Sequence, residues 1–205
     1  VNGPKLWRGR TLHDRSAGRR EQLLAVALDL LGTEGSAAVT MRAVIRLANL
    51  SPRYFYESFD NRDALVTAVY DRVEADLLDR LHTVAATGDP RDTARAALNI
   101  CADYFEEDPR RARVLLREPL TDETLRGHSA PRGPAFLRAL TPLLGPDAET
   151  LFSGGQERLA LVGTAVAGAL IALYLDWVDG RLTVSRDRLV DTAVDVVLSL
   201  LNTRP

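Results

Sequence analysis

The chain has a single cysteine, Cys101, so no disulfide can form within it. That suits a reducing compartment, and cytoplasmic residence is the expectation. Lysine is nearly absent too: Lys5 stands alone among 26 basic residues. No lysine therefore lies in a Gly-Lys-Ser/Thr phosphate-binding loop. His13, His82 and His128 are scattered, without a helical pair or a cysteine partner, so no metal site is expected. Neither Gly-x-Ser-x-Gly nor a dinucleotide fingerprint occurs. The sequence offers no catalytic residues and implies no cofactor. Its N-terminus is polar and basic and lacks the apolar segment of a signal peptide.

What the chain does have is an uneven charge. Residues 1–62 hold ten Arg/Lys and six Asp/Glu, for +4; residues 63–205 hold sixteen and twenty-two, for −6. A basic front on an acidic body suits nucleic acid at one end. Residues 1–19 combine Lys5, Arg8, Arg10, Arg15 and Arg19 with several glycines and read as a flexible arm. Such an arm is either a solvated tail or one that follows DNA phosphates.

The most informative stretch is 40–65, TMRAVIRLANLSPRYFYESFDNRDAL. Thr40 can cap a helix in which Met41, Val44, Ile45 and Ala48 recur with helical spacing. Asn49 follows where the helix must stop, since Asn tolerates the left-handed conformation. Ser51 and Pro52 then open a second, short helix. Helix, tight turn, helix is the punctuation of a helix-turn-helix. Phe55 and Phe59 can face a core, which leaves Arg53, Tyr54 and Tyr56 pointing elsewhere. Arg suits guanine edges or phosphate, and Tyr hydroxyls suit phosphate oxygens. Alone, the same residues also fit a tyrosine-rich core or a protein-binding helix.

Residues 20–65 resemble the N-terminal domain of the TetR family of bacterial repressors. The likeness rests on Ala27, Glu34-Gly35, Thr40, Ala48, Ser51, Tyr56, Phe59, Arg62 and Leu65, in that order and spacing. Four positions depart from the family pattern. Ile45 stands for Ala, Asn49 for Gly, Tyr54 for a small Thr and Arg62 for Lys. Ile45 asks for more room between the helices, and Tyr54 alters the reading surface, so base preferences do not carry over.

Beyond this stretch, helices are expected at about 17–34 and 61–84. Asp89-Pro90 and Asp108-Pro109 mark starts of helices at 90–107 and 109–117, the second closed by Pro119. Residues 119–134 read as a long loop, followed by a helix at 135–144. The segment 151–156, LFSGGQ, is similar to the signature of ABC-transporter ATPases. Without a phosphate-binding loop it reads as a turn with chance likeness. Two long helices end the chain, at about 156–179 and 186–202. Residues 159–175 carry no charge and are apolar nearly all round, so they are expected to be buried on every side. Either monomer core or a second copy of the chain supplies that cover. No membrane span is expected, because the run is at the short end of what a bilayer needs.

The expected fold is all-α. A flexible basic arm (1–19) would precede a three-helix helix-turn-helix DNA-binding domain (20–65) and a helical ligand-binding and dimerisation domain (66–205). The expected activity is that of a transcriptional repressor released from its operator by a small-molecule effector. The alternative is a helical carrier or enzyme with a DNA-binding-like front. Thr40, Arg42, Ser51, Tyr56 and Arg62 are expected at phosphates, and Pro52, Arg53 and Tyr54 at bases. Cys101, Tyr104, Phe105, Leu116, Phe136, Leu140, Tyr174 and Trp177 are candidate lining residues of the effector pocket. The expected partners are double-stranded DNA with a palindromic operator, an effector, and a second copy bound through the last two helices.

Overall fold

The computed structural model describes residues 12–85, 88–132 and 155–201, and every regular element among them is helical. The chain opens with α1 (Leu12–Thr33), a 3-10 turn at Ser36–Ala38, α2 (Met41–Leu47), α3 (Pro52–Tyr56) and α4 (Arg62–Leu81). It continues through α5 (Pro90–Glu107), α6 (Pro109–Ala112), a π turn (Arg113–Arg117), α7 (Glu118–Thr121) and α8 (Glu123–Ser129). After a stretch outside the described residues come α9 (Gly155–Val178) and α10 (Arg186–Leu201).

Local chemistry explains most boundaries. Thr40 Oγ1 accepts from the Ala43 amide at 3.1 Å, Asn61 Oδ1 from Ala64 at 2.8 Å, and Asp89 Oδ1 from Arg91 at 2.7 Å. Asp108 and Ser185 cap α6 and α10 in the same way. Asn49 stands at φ 50°, the left-handed stop expected between α2 and α3. Replacing it with alanine should cost about 1–2 kcal/mol, because a Cβ without a compensating side-chain amide is strained there. Asn49→Gly should stay within about 0.5 kcal/mol of the parent. Urea midpoints of the two variants check this.

Two expected boundaries change. The first helix begins at Leu12, so residues 12–19 of the expected arm are helical, and residues 1–11 lie outside the described residues. Arginine and alanine are good helix formers, and Gly18 is exposed with nothing near it, so the helix tolerates it. Of the expected loop at 119–134, the described residues 119–132 are largely helical, and Pro119 does not close a helix. Proline in an α-helix clashes with the carbonyl four residues back, here Leu115. The wider π turn at Arg113–Arg117 precedes it and relieves that clash, so the run continues to Thr121. Asp122 then caps α8 by accepting from the Leu125 amide at 3.0 Å. The expected helix at 135–144 and most of 151–156 lie outside the described residues.

One core runs from front to back. Leu23, Ala27 and Leu31 of α1 meet Val44, Phe55, Phe59, Leu65 and Val69. Further back, Leu98, Cys101, Tyr104 and Phe105 of α5 meet Val166 and Tyr174 of α9 and the Leu189–Val197 face of α10. Helix α9 departs from the expectation of full burial. Leu161 is 67% exposed, and Thr164, Ala165, Gly168 and Ala172 are exposed with it. Their spacing places them on one helical face. Ala160–Val178 is long and apolar enough to cross a membrane by length and composition, and 22% of that window is buried by its own chain.

Candidate nucleic-acid interface

The short helix α3 sits on the surface, anchored by one of its own side chains and by one that follows it. Phe55 is 1% exposed and its ring lies 6.1 Å from that of Phe59, itself buried. A five-residue helix cannot persist alone, so these two rings hold it against α1 and α2. Helical geometry then turns Arg53 and Tyr56 outward: the Arg53 side chain is 83% exposed and Tyr56 is 58% exposed. Thr40, Arg42, Ser51 and Pro52 are exposed on the same unit. Thr40 spends an acceptor lone pair on its cap, which leaves its hydroxyl hydrogen free to donate.

Tyr54 is half-buried, for a reason that its spacing does not reveal. The Arg19 guanidinium lies 4.2 Å from its ring centroid. Arg19 also reaches Glu57 at 3.6 Å, and Arg53 Nε donates to the other Glu57 oxygen at 2.8 Å. Two arginines and a tyrosine thus gather around one carboxylate. Arg19 was expected on a flexible arm. It also falls within the helix expected from about residue 17, and the 35-residue separation from Tyr54 leaves no local signal for the contact.

Arg62 is turned inward, away from the expected role at a phosphate. Its Nη2 donates to the Ser36 carbonyl at 2.8 Å and to Asp122 Oδ2 at 2.9 Å. Nη1 binds Asp63 at 3.0 Å, and Nε reaches the Val39 carbonyl at 3.3 Å. A planar guanidinium offers five donors, and four are taken by acceptors of the protein itself. Burial opposes charge on Asp122, but the Leu125 amide and Arg62 together hold its carboxyl below the usual range.

The expected pocket residues occupy the body. Tyr104 donates to the Val73 carbonyl at 2.7 Å, and Tyr174 to the Leu98 carbonyl at 2.6 Å. Phe105 stands between them, its ring 5.7 Å from Tyr104 and 5.8 Å from Tyr174. Burial pushes the Cys101 thiol up to about 12, so it is unreactive. Leu116 packs against this core from the π turn, and Trp177 donates to the Val184 carbonyl at 3.3 Å. Phe136 and Leu140 lie outside the described residues. A groove of about 400 Å³ opens elsewhere, between α1 and α4, over Leu24, Leu28, Val69 and Val73.

Residues 23–69 match the family described as bacterial regulatory proteins, tetR family. The chain is 26% identical over 197 residues to the HTH-type transcriptional regulator BetI of Rhizobium meliloti. That match covers 82% of this chain and 92% of the relative. The fold is similar to a tetR-family transcriptional regulator from Streptomyces coelicolor, with a TM-score of 0.67 and 24% identity over 90% of this chain and 80% of that one. It is also similar to the fatty acid degradation regulator FadR from Bacillus halodurans. There the TM-score is 0.66 and the identity 16%, over 89% of this chain and 94% of that one.

Proposed function

We propose that this chain, a member of the TetR family of DNA-binding transcriptional regulators, reads its operator with α3 and represses from the cytoplasm. The family is one of regulators and not of enzymes. The observation that carries the assignment of α3 is its division of labour. Phe55 and Phe59 are buried while Arg53 and Tyr56, one and four residues after Pro52, stand in solvent. Arg53 would pair with a guanine edge, with Pro52 and Tyr54 beside it at the bases. Thr40, Arg42, Ser51 and Tyr56 would hold phosphates. Residues 20–65 form the DNA-binding domain in this reading, and residues 66–205 form the effector-binding and dimerisation domain.

TetR-family regulators bind operator DNA, form dimers and respond to small molecules. For this chain the dimer interface is proposed at α9 and α10, where the exposed face of α9 lacks cover from its own chain. Two-fold symmetry implies a palindromic operator with half-sites ~34–36 Å apart. The effector is proposed to be an apolar or aromatic molecule held near Tyr104, Phe105, Leu116 and Tyr174. It releases DNA by preferring a body conformation in which the two heads no longer match the operator.

The test uses an operator recovered by genomic footprinting with the purified protein. Arg53→Ala should weaken binding by about 10- to 100-fold, the usual cost of a base-reading arginine. Tyr56→Phe removes one hydroxyl and should cost about 2- to 10-fold. Binding of the parent should fall steeply with salt. Unchanged affinity in both variants would show that α3 is not the reading helix.

A further inference from the structure

The front unit meets the body along one polar seam. On the front side are the end of α1 and the 33–40 turn, which leads directly into α2. On the body side are α6, the π turn, α7 and Asp122. The approach is backbone-close: a Cβ on Gly32 would lie 2.4 Å from the Arg110 Cβ. Arg110 itself bridges to Asp29 of α1 at 3.0 Å and to Asp108 at 2.8 Å.

At the centre of the seam is Glu118, 3% exposed. One carboxylate oxygen accepts from the Ser36 amide at 2.8 Å, across 82 residues of sequence. The other accepts from Arg113 Nε at 2.9 Å, and Arg113 Nη1 donates to the Thr33 carbonyl at 2.6 Å. The Ser36 carbonyl is held from the opposite side by Arg62, which is paired with Asp122. The Ser36 amide is therefore fastened directly to the body by Glu118, and its carbonyl indirectly, through Arg62 paired with Asp122. A buried carboxylate with two donors has a narrow choice of geometry, because leaving either donor unpaired is costly.

Glu118 also follows the π turn directly. That turn carries the buried Val114 and Leu115, and Leu116 packs on the same core. Returning the turn to α geometry would swing Glu118 by roughly 100° about the helix axis, one residue's worth of rotation. The carboxylate would then leave Ser36. Packing of the π turn in the body thus decides whether Glu118 can reach the front unit.

We propose that Glu118 is the positioning residue that sets the tilt of the reading unit on the body, and with it the spacing of the two α3 helices in the dimer. This rests on the assignment of α3 as the reading helix. Glu118→Gln keeps the size but opposes its side-chain NH2 to one of the two donors. The full-length variant is compared with the parent on three duplexes: a single half-site, the operator, and operators with the half-sites moved by a base pair either way.

The expected result is half-site affinity within about twofold of the parent, with about tenfold or more lost on the native spacing. The loss should shrink on at least one altered spacing. A nitroxide on Asp60→Cys, exposed at the edge of the front unit, reports the distance between heads without DNA. Cys101 is buried and out of reach of the label. The distance distribution should shift or broaden in Glu118→Gln. Should Glu118→Gln not fold, Asp122→Asn replaces it: asparagine still caps α8 but no longer neutralises Arg62, and the same changes are expected. An unchanged distance distribution and spacing profile, with or without a lower melting temperature, overturns the proposal. A parallel loss on the half-site overturns it too. Failure of Arg53→Ala to weaken binding would remove the α3 assignment instead, while the label distances still decide the role of Glu118.

Discussion

Gly168→Arg should turn the protein into a monomer that no longer holds its operator. Gly168 is exposed on α9 with nothing within 4 Å of where a Cβ would stand, so the monomer itself has room for the new side chain. In the proposed dimer the same position lies in the middle of the apolar face formed by Leu161, Thr164, Ala165 and Ala172. Small residues there allow two helices to approach closely. Two-fold symmetry would bring in two arginines at once, each costing several kcal/mol to desolvate without a partner. Sedimentation should show a monomer with unchanged helical content. Operator affinity should fall by about 10²- to 10⁴-fold, because the second half-site is no longer tethered to the first. A variant that stays dimeric would place the interface elsewhere.

Phe55→Ala should unfold or loosen the front of the molecule, at a cost of about 3–5 kcal/mol. Against a typical domain stability of about 5–15 kcal/mol, that is a large share. The ring is 1% exposed and touches Phe59 and Tyr56, with centroid separations of 6.1 and 5.6 Å. Around it are α1, α2 and α4, none of which can move in to fill the gap without losing its own contacts. Chemical denaturation should show the loss, and DNA binding should vanish with it. The contrast is Tyr56→Phe, one residue on, which should leave stability within about 0.5 kcal/mol because the hydroxyl is in solvent. Equal stabilities for the parent and Phe55→Ala would mean that α3 is held by something other than its aromatic anchor.

These two substitutions sit at opposite ends of what the primary structure reveals. Around α2 and α3 nearly every boundary has a local cause. Thr40, Asn49, Pro52 and Asn61 act on the backbone within four residues of themselves, while Ser51 holds the cap position of α3 without a side-chain cap bond. Caps, left-handed stops and proline starts are short-range interactions, so they are legible in a string of letters. The same holds for Asp89-Pro90 and Asp108-Pro109, whose carboxylates each cap the helix that follows. The alternation of buried Phe55 and Phe59 with exposed Arg53 and Tyr56 follows from helical period alone. The family likeness rests on this same short-range grammar.

Proline misled where its effect was absorbed by a neighbour. Pro119 reads as a stop, yet the π turn before it lets the helix run on to Thr121. Arg62 reads as a cation near a phosphate, yet it faces Asp122, sixty residues away in the chain. Arg19 reads as part of a loose arm, yet it stacks on Tyr54.

By itself, then, the sequence determined that the chain is helical, where a helix-turn-helix begins and stops, and that Phe55 faces the core while Arg53 and Tyr56 face solvent. Each of those depends on contacts between residues a turn or so apart. Only the tertiary structure decided that Arg62 and Glu118 fasten the front unit to the body, that Arg19 packs on Tyr54 of α3, and that α9 keeps an apolar face uncovered. Those features join groups 35 to 82 residues apart, or concern what no other part of the chain reaches. Pairing at such distances is set by how the helices pack, and no local preference encodes it.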